Sequence, residues 1–380
     1  MPRFFIMKKL IPFILLILLI SSCHSFEKKE LTGEWVIEEK QDDEPPSPFQ
    51  RDPQIIIFKG DGTYTYKNGM FNFDQDSVRY YGENTRFKIK GDSLLVFNPI
   101  KKKFESQKIV ELGKNKIILE TKKKKLTTLI PFKSKAYENL NPQIDKIIVS
   151  KSACFGNCPI NSTVIDTQGN FLFYGDSYNL KNGFFSSKVS SQITKEIFDE
   201  IKYIDFYSLK PNYSAYITDQ ASSTITFISK GKILKTVYDY GEQSPFELRR
   251  LIRNISYLYQ NIPLQTLSID PLSIYNFRSE TKRISLKASE KFYLSSELLK
   301  AKTISPYSGN LPFTGKYRLP IPTSEDYKNF YLYERSINTD GKIFKIQLED
   351  KTFKTLDLGY NFFNENHLIR FKNDSIRKPY

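Results

Sequence analysis

From Leu31 to about Phe132, short apolar or aromatic runs alternate with turn residues at small, regular spacing. Ile55 to Phe58 is followed by Gly60-Asp61-Gly62, then by Thr63 to Tyr66 and Asn68-Gly69. Gly91-Asp92 separates Arg86 to Lys90 from Leu94 to Phe97, and Gly113-Lys114-Asn115 separates Lys108 to Leu112 from Lys116 to Glu120. Alternation with period two, broken by glycine and asparagine or aspartate, predicts an antiparallel meander of hairpins. The stretch Gln41 to Pro53 holds four prolines and four acids and reads as a loop between the first two strands.

The rhythm changes after Asn141. A strand at Ile144 to Ser150 precedes Cys154-Phe155-Gly156-Asn157-Cys158-Pro159, and a hairpin follows, Ser162 to Asp166 and Asn170 to Tyr174 about Gln168-Gly169. Ile193, Ile197, Phe198, Ile201 and Ile204 recur at helical spacing, with Ser190 or Ser191 as N-cap. Another hairpin turns at Lys230-Gly231. The last helix of this stretch is signalled by Ser244 as N-cap, Pro245 in the first turn and Glu247 completing a capping box, with Leu248, Leu251, Ile252, Ile255 and Leu258 along one face. Two helices on one face of an antiparallel sheet are predicted. Leu264 to Tyr380 shows strand-like patches such as Phe330 to Arg335 and Ile343 to Leu348, with Thr339-Asp340-Gly341 as a turn.

The first 22 residues differ from all of this. Arg3, Lys8 and Lys9 precede an apolar run from Leu10 to Ile20, and Ser21 and Ser22 lead into Cys23. Eleven residues make roughly 16 Å of helix, far short of a hydrocarbon core about 30 Å thick, so the segment reads as a signal peptide and not as a spanning helix. Ile20-Ser21-Ser22-Cys23 resembles the lipobox of bacterial lipoproteins. The resemblance implies cleavage before Cys23, a diacylglycerol on its sulfur and a further acyl chain on the new amino terminus. Two or three chains anchor stably where one does not. The mixed sequence His24-Ser25-Phe26-Glu27-Lys28-Lys29-Glu30 lacks an acidic run. The address that follows is the cell envelope, lipid-anchored, on the periplasmic face of the outer membrane or at the surface.

Two further resemblances organise the mature chain. Leu31-Thr32-Gly33-Glu34-Trp35 resembles the start of lipocalin-like domains in bacterial lipoproteins, where Gly-x-Trp sits on the first strand and the indole plugs one barrel end. Such a barrel either holds a small apolar ligand or is filled by its own side chains. The Cys-Phe-Gly-x-Cys-Pro segment, with Tyr174-Gly175, Gly183 and Thr218-Asp219 in order after it, resembles a domain family of unknown function found in envelope lipoproteins. Asn161 departs from that family, which has tyrosine there. The expected fold class is mainly β with α+β. A signal peptide (1–22) and a tether (23–30) precede a lipocalin-like antiparallel β-barrel (31–133). An α+β domain with an antiparallel sheet and two helices (141–263) and a β-rich C-terminal region (264–380) complete it.

Composition narrows the chemistry. Losing the first 22 residues lowers the formal net charge from +15 to +12. Export directs that charge away from nucleic acid, so no nucleic-acid partner is expected. The membrane, through the acyl chains on Cys23, is the expected partner. The lysine runs Lys101 to Lys103 and Lys122 to Lys125 flank strands, where charge commonly blunts sheet edges. Outside the cytoplasm, the close pair Cys154 and Cys158 is expected to oxidise to a disulfide. A second reading starts from Cys-x-x-x-Cys-Pro, which looks like the copper loop of thioredoxin-fold copper chaperones, with two soft thiolates and a distant histidine. The chain has two histidines, His24 and His367, so triads and multi-histidine zinc sites are poorly provided for. Gly309 to Lys316 has five residues between its glycines where a phosphate loop has four. No catalytic residue, cofactor or metal ligand is assigned. The expected function is non-enzymatic binding or scaffolding, with copper or thiol handling, or carriage of a small apolar ligand in the barrel, as alternatives.

Overall fold

The computed structural model describes residues 26–38, 52–73, 77–137, 141–268, 272–318 and 334–371. Cys23, His24, the signal segment, residues 41–51 of the predicted loop and residues 330–333 of the predicted strand lie outside the described residues. The described chain forms two compact units. One holds the residues up to 134 apart from 72–80, and the other holds 72–80 and everything from 135 onward.

In the first unit a one-turn helix, Lys28–Leu31, leads into β1 (Gly33–Ile37), β2 (Ile55–Phe58) and β3 (Thr63–Tyr66). A short hairpin, β4 (Phe71–Phe73) and β5 (Val78–Tyr80), interrupts the meander. It then resumes with β6 (Asn84–Lys90), β7 (Ser93–Asn98), β8 (Lys103–Leu112), β9 (Ile117–Glu120) and β10 (Leu126–Pro131). Strands β1 to β3 and β6 to β10 pair antiparallel in chain order. β1 then pairs with both β10 and β2, closing an eight-stranded barrel. The predicted turns at Gly62 and Gly91 join β2 to β3 and β6 to β7, with φ of +91° and +60°, a region where a Cβ is costly.

Trp35 shows why Gly-x-Trp opens the barrel. Its side chain is 5% exposed, and its indole N–H donates to the Leu31 carbonyl at 2.9 Å, tying the first strand to the helix turn beneath it. Gly33 has φ +147°, and a Cβ there would lie 3.4 Å from the indole nitrogen, so glycine lets the ring settle. Phe58, Phe87, Leu94, Ile109, Ile117 and Leu129 pack with Trp35 and Leu31. On the wall, Lys67 is buried and pairs with Glu34 at 2.9 Å, while Ser134 donates to Glu34 from both its hydroxyl and its N–H. Burial raises the Glu34 pKa, but the Ser134 hydrogen bonds and Lys67 outweigh it and leave the carboxyl below its ordinary value.

The second unit is built on an eight-stranded sheet. Its strands are β11 (Lys146–Lys151), β12 (Ile160–Asp166), β13 (Asn170–Ser177), β14 (Gly183–Lys188), β15 (Asn212–Ser214), β16 (Ser222–Ser229), β17 (Lys232–Tyr240) and β18 (Gln265–Thr266). They lie in the order β15-β17-β16-β11-β12-β13-β14-β18, antiparallel except for β15 on β17. Helices Ser191–Asp199 and Phe246–Tyr257 are present, the second packing on β11 and β12. Ser190 caps the first by accepting from the Ile193 N–H, as expected. Ser244 does not cap the second. Asp239, a stronger acceptor, takes both the Ser244 hydroxyl and its N–H, and the helix starts after Pro245.

β11 and β16 are buried at four and five consecutive positions, which a sheet covered on one face alone cannot produce. A helix absent from the sequence reading, Ala288–Leu298, covers the second face. Its Ser289 N–H donates to Thr224 at 2.9 Å, and its hydroxyl meets that of Thr226 at 2.7 Å. Beyond it, a further sheet includes β19 (Ser273–Ile274), β20 (Phe277–Arg278), β21 (Lys282–Ile284), β22 (Lys302–Ile304) and β23 (Phe313–Arg318). β24 (Glu334–Thr339), β25 (Ile343–Gln347), β26 (Phe353–Asp357) and β27 (Ile369–Phe371) complete it. One apolar cluster runs from Ile148, Val164 and Phe184 through Phe292 and Leu294 to Phe344 and Phe363. The C-terminal region is β-rich, but the element that fastens it is a helix.

Candidate functional site

Strand alternation sends every second residue into the barrel. Toward the end where Trp35 sits, those residues are large and fill the lumen. Toward the other end they are Ile37 and Ile56, Tyr64 and Tyr66, and Val96, and they line a cavity of about 980 Å³. Met70 and Phe71 add apolar wall beyond β3. Polar groups line it as well, among them Gln54, Asn98, Ser106, Gln107 and Thr121. Gln54 lies 3.5 Å from the Tyr66 hydroxyl, and Gln107 projects from β8. Tyr64 lies deep between Phe58 and the lumen, its ring edge-on to Phe58 at 5.4 Å. Burial pushes its hydroxyl pKa far up, so it remains a proton donor across physiological pH.

Two turns, β7 to β8 and β9 to β10, lie at the mouth, since an up-and-down meander places them at the same end. Lys103, Lys122, Lys123 and Lys125 line it, with Glu105 as the one carboxylate among the described residues. The β9–β10 turn is held by Thr121, whose N–H donates to the Lys125 carbonyl at 2.9 Å and whose hydroxyl accepts from the Lys125 N–H at 3.2 Å. Glu105 accepts from the Asn98 amide at 2.9 Å and from Lys101 at 2.7 Å, and these contacts hold its pKa below the ordinary value. A closed barrel has no free edge, so the edge-blunting reading of these lysine runs has nothing to protect here.

The cysteine pair lies in the second unit. Cys154 and Cys158 are at disulfide distance, with Cα atoms 5.7 Å apart, in a loop between β11 and β12. Phe155 at the loop tip is 88% exposed, and its N–H donates to the Asp219 carbonyl at 3.0 Å. Asn161 is buried, and its amide donates to Asn179 at 2.8 Å.

His367 follows helix Phe362–Glu365 beside Asn366, which accepts from the Ile233 N–H at 2.7 Å. Ile233 pairs with Ile228 and Ile228 with Lys146, the first residue of β11, whereas the disulfide loop follows Lys151, its last. The structure therefore places His367 and the cysteines at opposite ends of that strand, about 16 Å apart along it at about 3.3 Å per residue. Among the described residues no group of three or more His, Cys, Asp or Glu side chains converges as a metal site would require.

The lumen residues were not singled out from the sequence. Two lysine runs at turns of equal parity in one meander were the signal available for the mouth. Residues 145–259 match the model of a protein family described as a domain of unknown function, DUF6438. No curated protein and no solved structure matches the chain.

Proposed function

We propose that this is a lipid-anchored cell-envelope protein that binds and does not catalyse, and that its lipocalin-like first domain carries a small apolar molecule in the barrel. The observation behind this reading is the lumen, about 980 Å³ opening at one end while Trp35 and the helix Lys28–Leu31 fill the other. A barrel packed by its own side chains leaves no such volume, and this one lies at the upper end of the roughly 300–1,000 Å³ common for ligand pockets. Apolar walls supply affinity, and a few hydroxyl and amide groups supply orientation.

A neutral, polarity-sensitive probe such as N-phenyl-1-naphthylamine tests the lumen. One probe is expected to bind per chain, and Val96→Trp, which puts an indole into the cavity, is expected to weaken binding about tenfold or more, roughly the loss of 1.4 kcal/mol. Absence of probe binding, or binding indifferent to the substitution, would discard the reading. The anchor rests on Leu10 to Ile20 and on Ile20-Ser21-Ser22-Cys23. Mass spectrometry of the mature chain is expected to find diacylglycerol and a further acyl group on Cys23, and an unmodified Cys23 would remove the claim.

A further inference from the structure

We propose that the outward face of the C-terminal sheet binds a linear acidic polysaccharide along one row of residues that crosses six neighbouring strands, with Arg278 and Arg283 as its anion-holding pair. The surface lies within the second unit and takes nothing from the barrel lumen.

The row follows from register. Arg283 of β21 stands opposite Arg370 of β27 and opposite Arg278 of β20, Arg278 opposite Thr314 of β23, Thr314 opposite Asn338 of β24, and Asn338 opposite Lys345 of β25. Directly opposed residues project to one face of a sheet. Their chain neighbours Phe277, Ile284, Phe313, Ile337, Phe344 and Ile346 are in the core, so Arg278, Arg283, Thr314, Asn338 and Lys345 face away from it. Like charges set directly opposite each other destabilise a sheet. Arg278 and Arg283 are so set, and among the described residues neither guanidinium has an ion pair or a hydrogen bond. Lysine outnumbers arginine 44 to 13 in this chain, yet three adjacent strands carry arginine at this position. The guanidinium fork matches a carboxylate with two parallel hydrogen bonds, which an ammonium does not. Glu334, the carboxylate of β24, is taken by Lys316. Residues 372–380, which follow β27, carry Lys372, Arg377 and Lys378 against Asp374. Residues 319–333 join β23 to β24 at the Arg318–Glu334 pair, four residues along β23 from the row, about 13 Å at about 3.3 Å per residue.

Charge fixes the sign of the partner, and the rest of the row fixes its kind. Past the arginines, the Thr314 hydroxyl donates to Asn338 Oδ1 at 3.2 Å, which leaves the Asn338 amide protons for a ligand. Such donors answer hydroxyl groups, in which sugars are rich. Neighbouring strands lie about 4.8 Å apart, close to the rise of one sugar in an extended chain, whereas an extended peptide returns a side chain to the same face only about every 6.6 Å. A peptide also draws affinity from pairing with a free strand edge, and β20, β23 and β24 are paired on both sides. A lipid surface would take exposed cations anywhere, without regard to a row.

Calorimetric titration of the full mature chain with polygalacturonate fragments tests this against neutral dextran, poly-L-glutamate of matched charge and vesicles containing phosphatidylglycerol. Polygalacturonate is expected to bind at least about tenfold more tightly than the other three, with the advantage shrinking as salt rises. Arg278→Gln with Arg283→Gln is expected to weaken it about tenfold or more, roughly 1.4 kcal/mol, without lowering the melting midpoint, since the change removes a like-charge pair. Arg278→Lys with Arg283→Lys is expected to recover only part of the loss, because charge returns without the fork. Lys188→Gln with Lys195→Gln, on β14 and on helix Ser191–Asp199, is expected to leave binding unchanged. An equal loss in that control, or none in the double glutamine variant, overturns the surface. Poly-L-glutamate binding as tightly makes the partner an acidic peptide, and vesicles binding in place of polygalacturonate make it a lipid surface; either overturns the polysaccharide. If Glu325→Gln with Asp326→Asn raises binding tenfold, residues 319–333 are the occupant of the row and the proposal falls.

Discussion

Ending the chain after Pro263 is expected to unfold the eight-stranded sheet of the second unit while leaving the barrel intact. The matched family segment, 145–259, contains helices for one face of that sheet only. The other face is covered by Ala288–Leu298, which lies outside the match. Without it, Ile148, Val164, Phe184 and Ile228 return to water, and Thr224 and Thr226 lose Ser289. At about 1.5–3 kcal/mol for each fully buried side chain, the four apolar residues alone represent about 6–12 kcal/mol as an upper estimate. That equals the whole net stability of an ordinary domain, roughly 5–15 kcal/mol. Hydrogen exchange read by mass spectrometry separates the outcomes. Protection should vanish across 146–151 and 222–229 and persist across the barrel strands, which serve as the internal control. Protection that survives in both would show that the family segment folds without its C-terminal cover.

The helix that decides this result was illegible in the sequence for a physical reason. A helix on a protein surface writes an apolar stripe with a 3.6-residue period, as Leu248, Leu251, Ile252 and Ile255 do. Ala288–Leu298 is buried between two layers, with Ser289, Glu290, Phe292, Tyr293, Leu294, Ser295, Ser296 and Leu298 all inside, so no stripe distinguishes it. Ser289 bonds the sheet below, Ser296 donates to the Tyr293 carbonyl of its own helix, and Phe292 and Tyr293 reach Phe184 and Phe362 on opposite sides.

The hairpins, in contrast, were legible because their turns demand a residue type. Gly62, Gly91, Gly169, Gly231 and Gly341 all have positive φ at predicted turns. Residues 72–80 could not be assigned from sequence. They sit between barrel strands, yet the Tyr80 hydroxyl donates to Asn254 at 2.6 Å and its N–H to Gln260 at 2.7 Å, both in the second unit. The cavity was equally hidden, because alternation tells which residues face inward but not whether they meet across the lumen.

Trp35→Ala is expected to cost the barrel about 3–5 kcal/mol, the range for removing a buried Trp from a core that cannot collapse to fill the space. Collapse is resisted because β1 is fixed on both sides, by β2 at Gly33 to Val36 and by β10 at Trp35 to Ile37. For a domain of about 100 residues each kcal/mol moves the midpoint by roughly 4–8 °C, so the barrel should melt at least about 12 °C lower. Trp35→Phe separates two contributions. It keeps most of the apolar bulk but leaves the Leu31 carbonyl without the indole donor, which should cost about 1 kcal/mol more than the change in bulk alone. Because the two units need not unfold together, hydrogen exchange in β2 and β9 is the proper readout for the barrel. A Trp35→Ala barrel within 1 kcal/mol of wild type would sink the plug assignment. If the plug holds, probe binding should track barrel stability in the Trp35 variants but not in Val96→Trp, where an indole occupies the lumen and Trp35 itself is unchanged. That contrast separates a cavity closed at one end from a pore open at both.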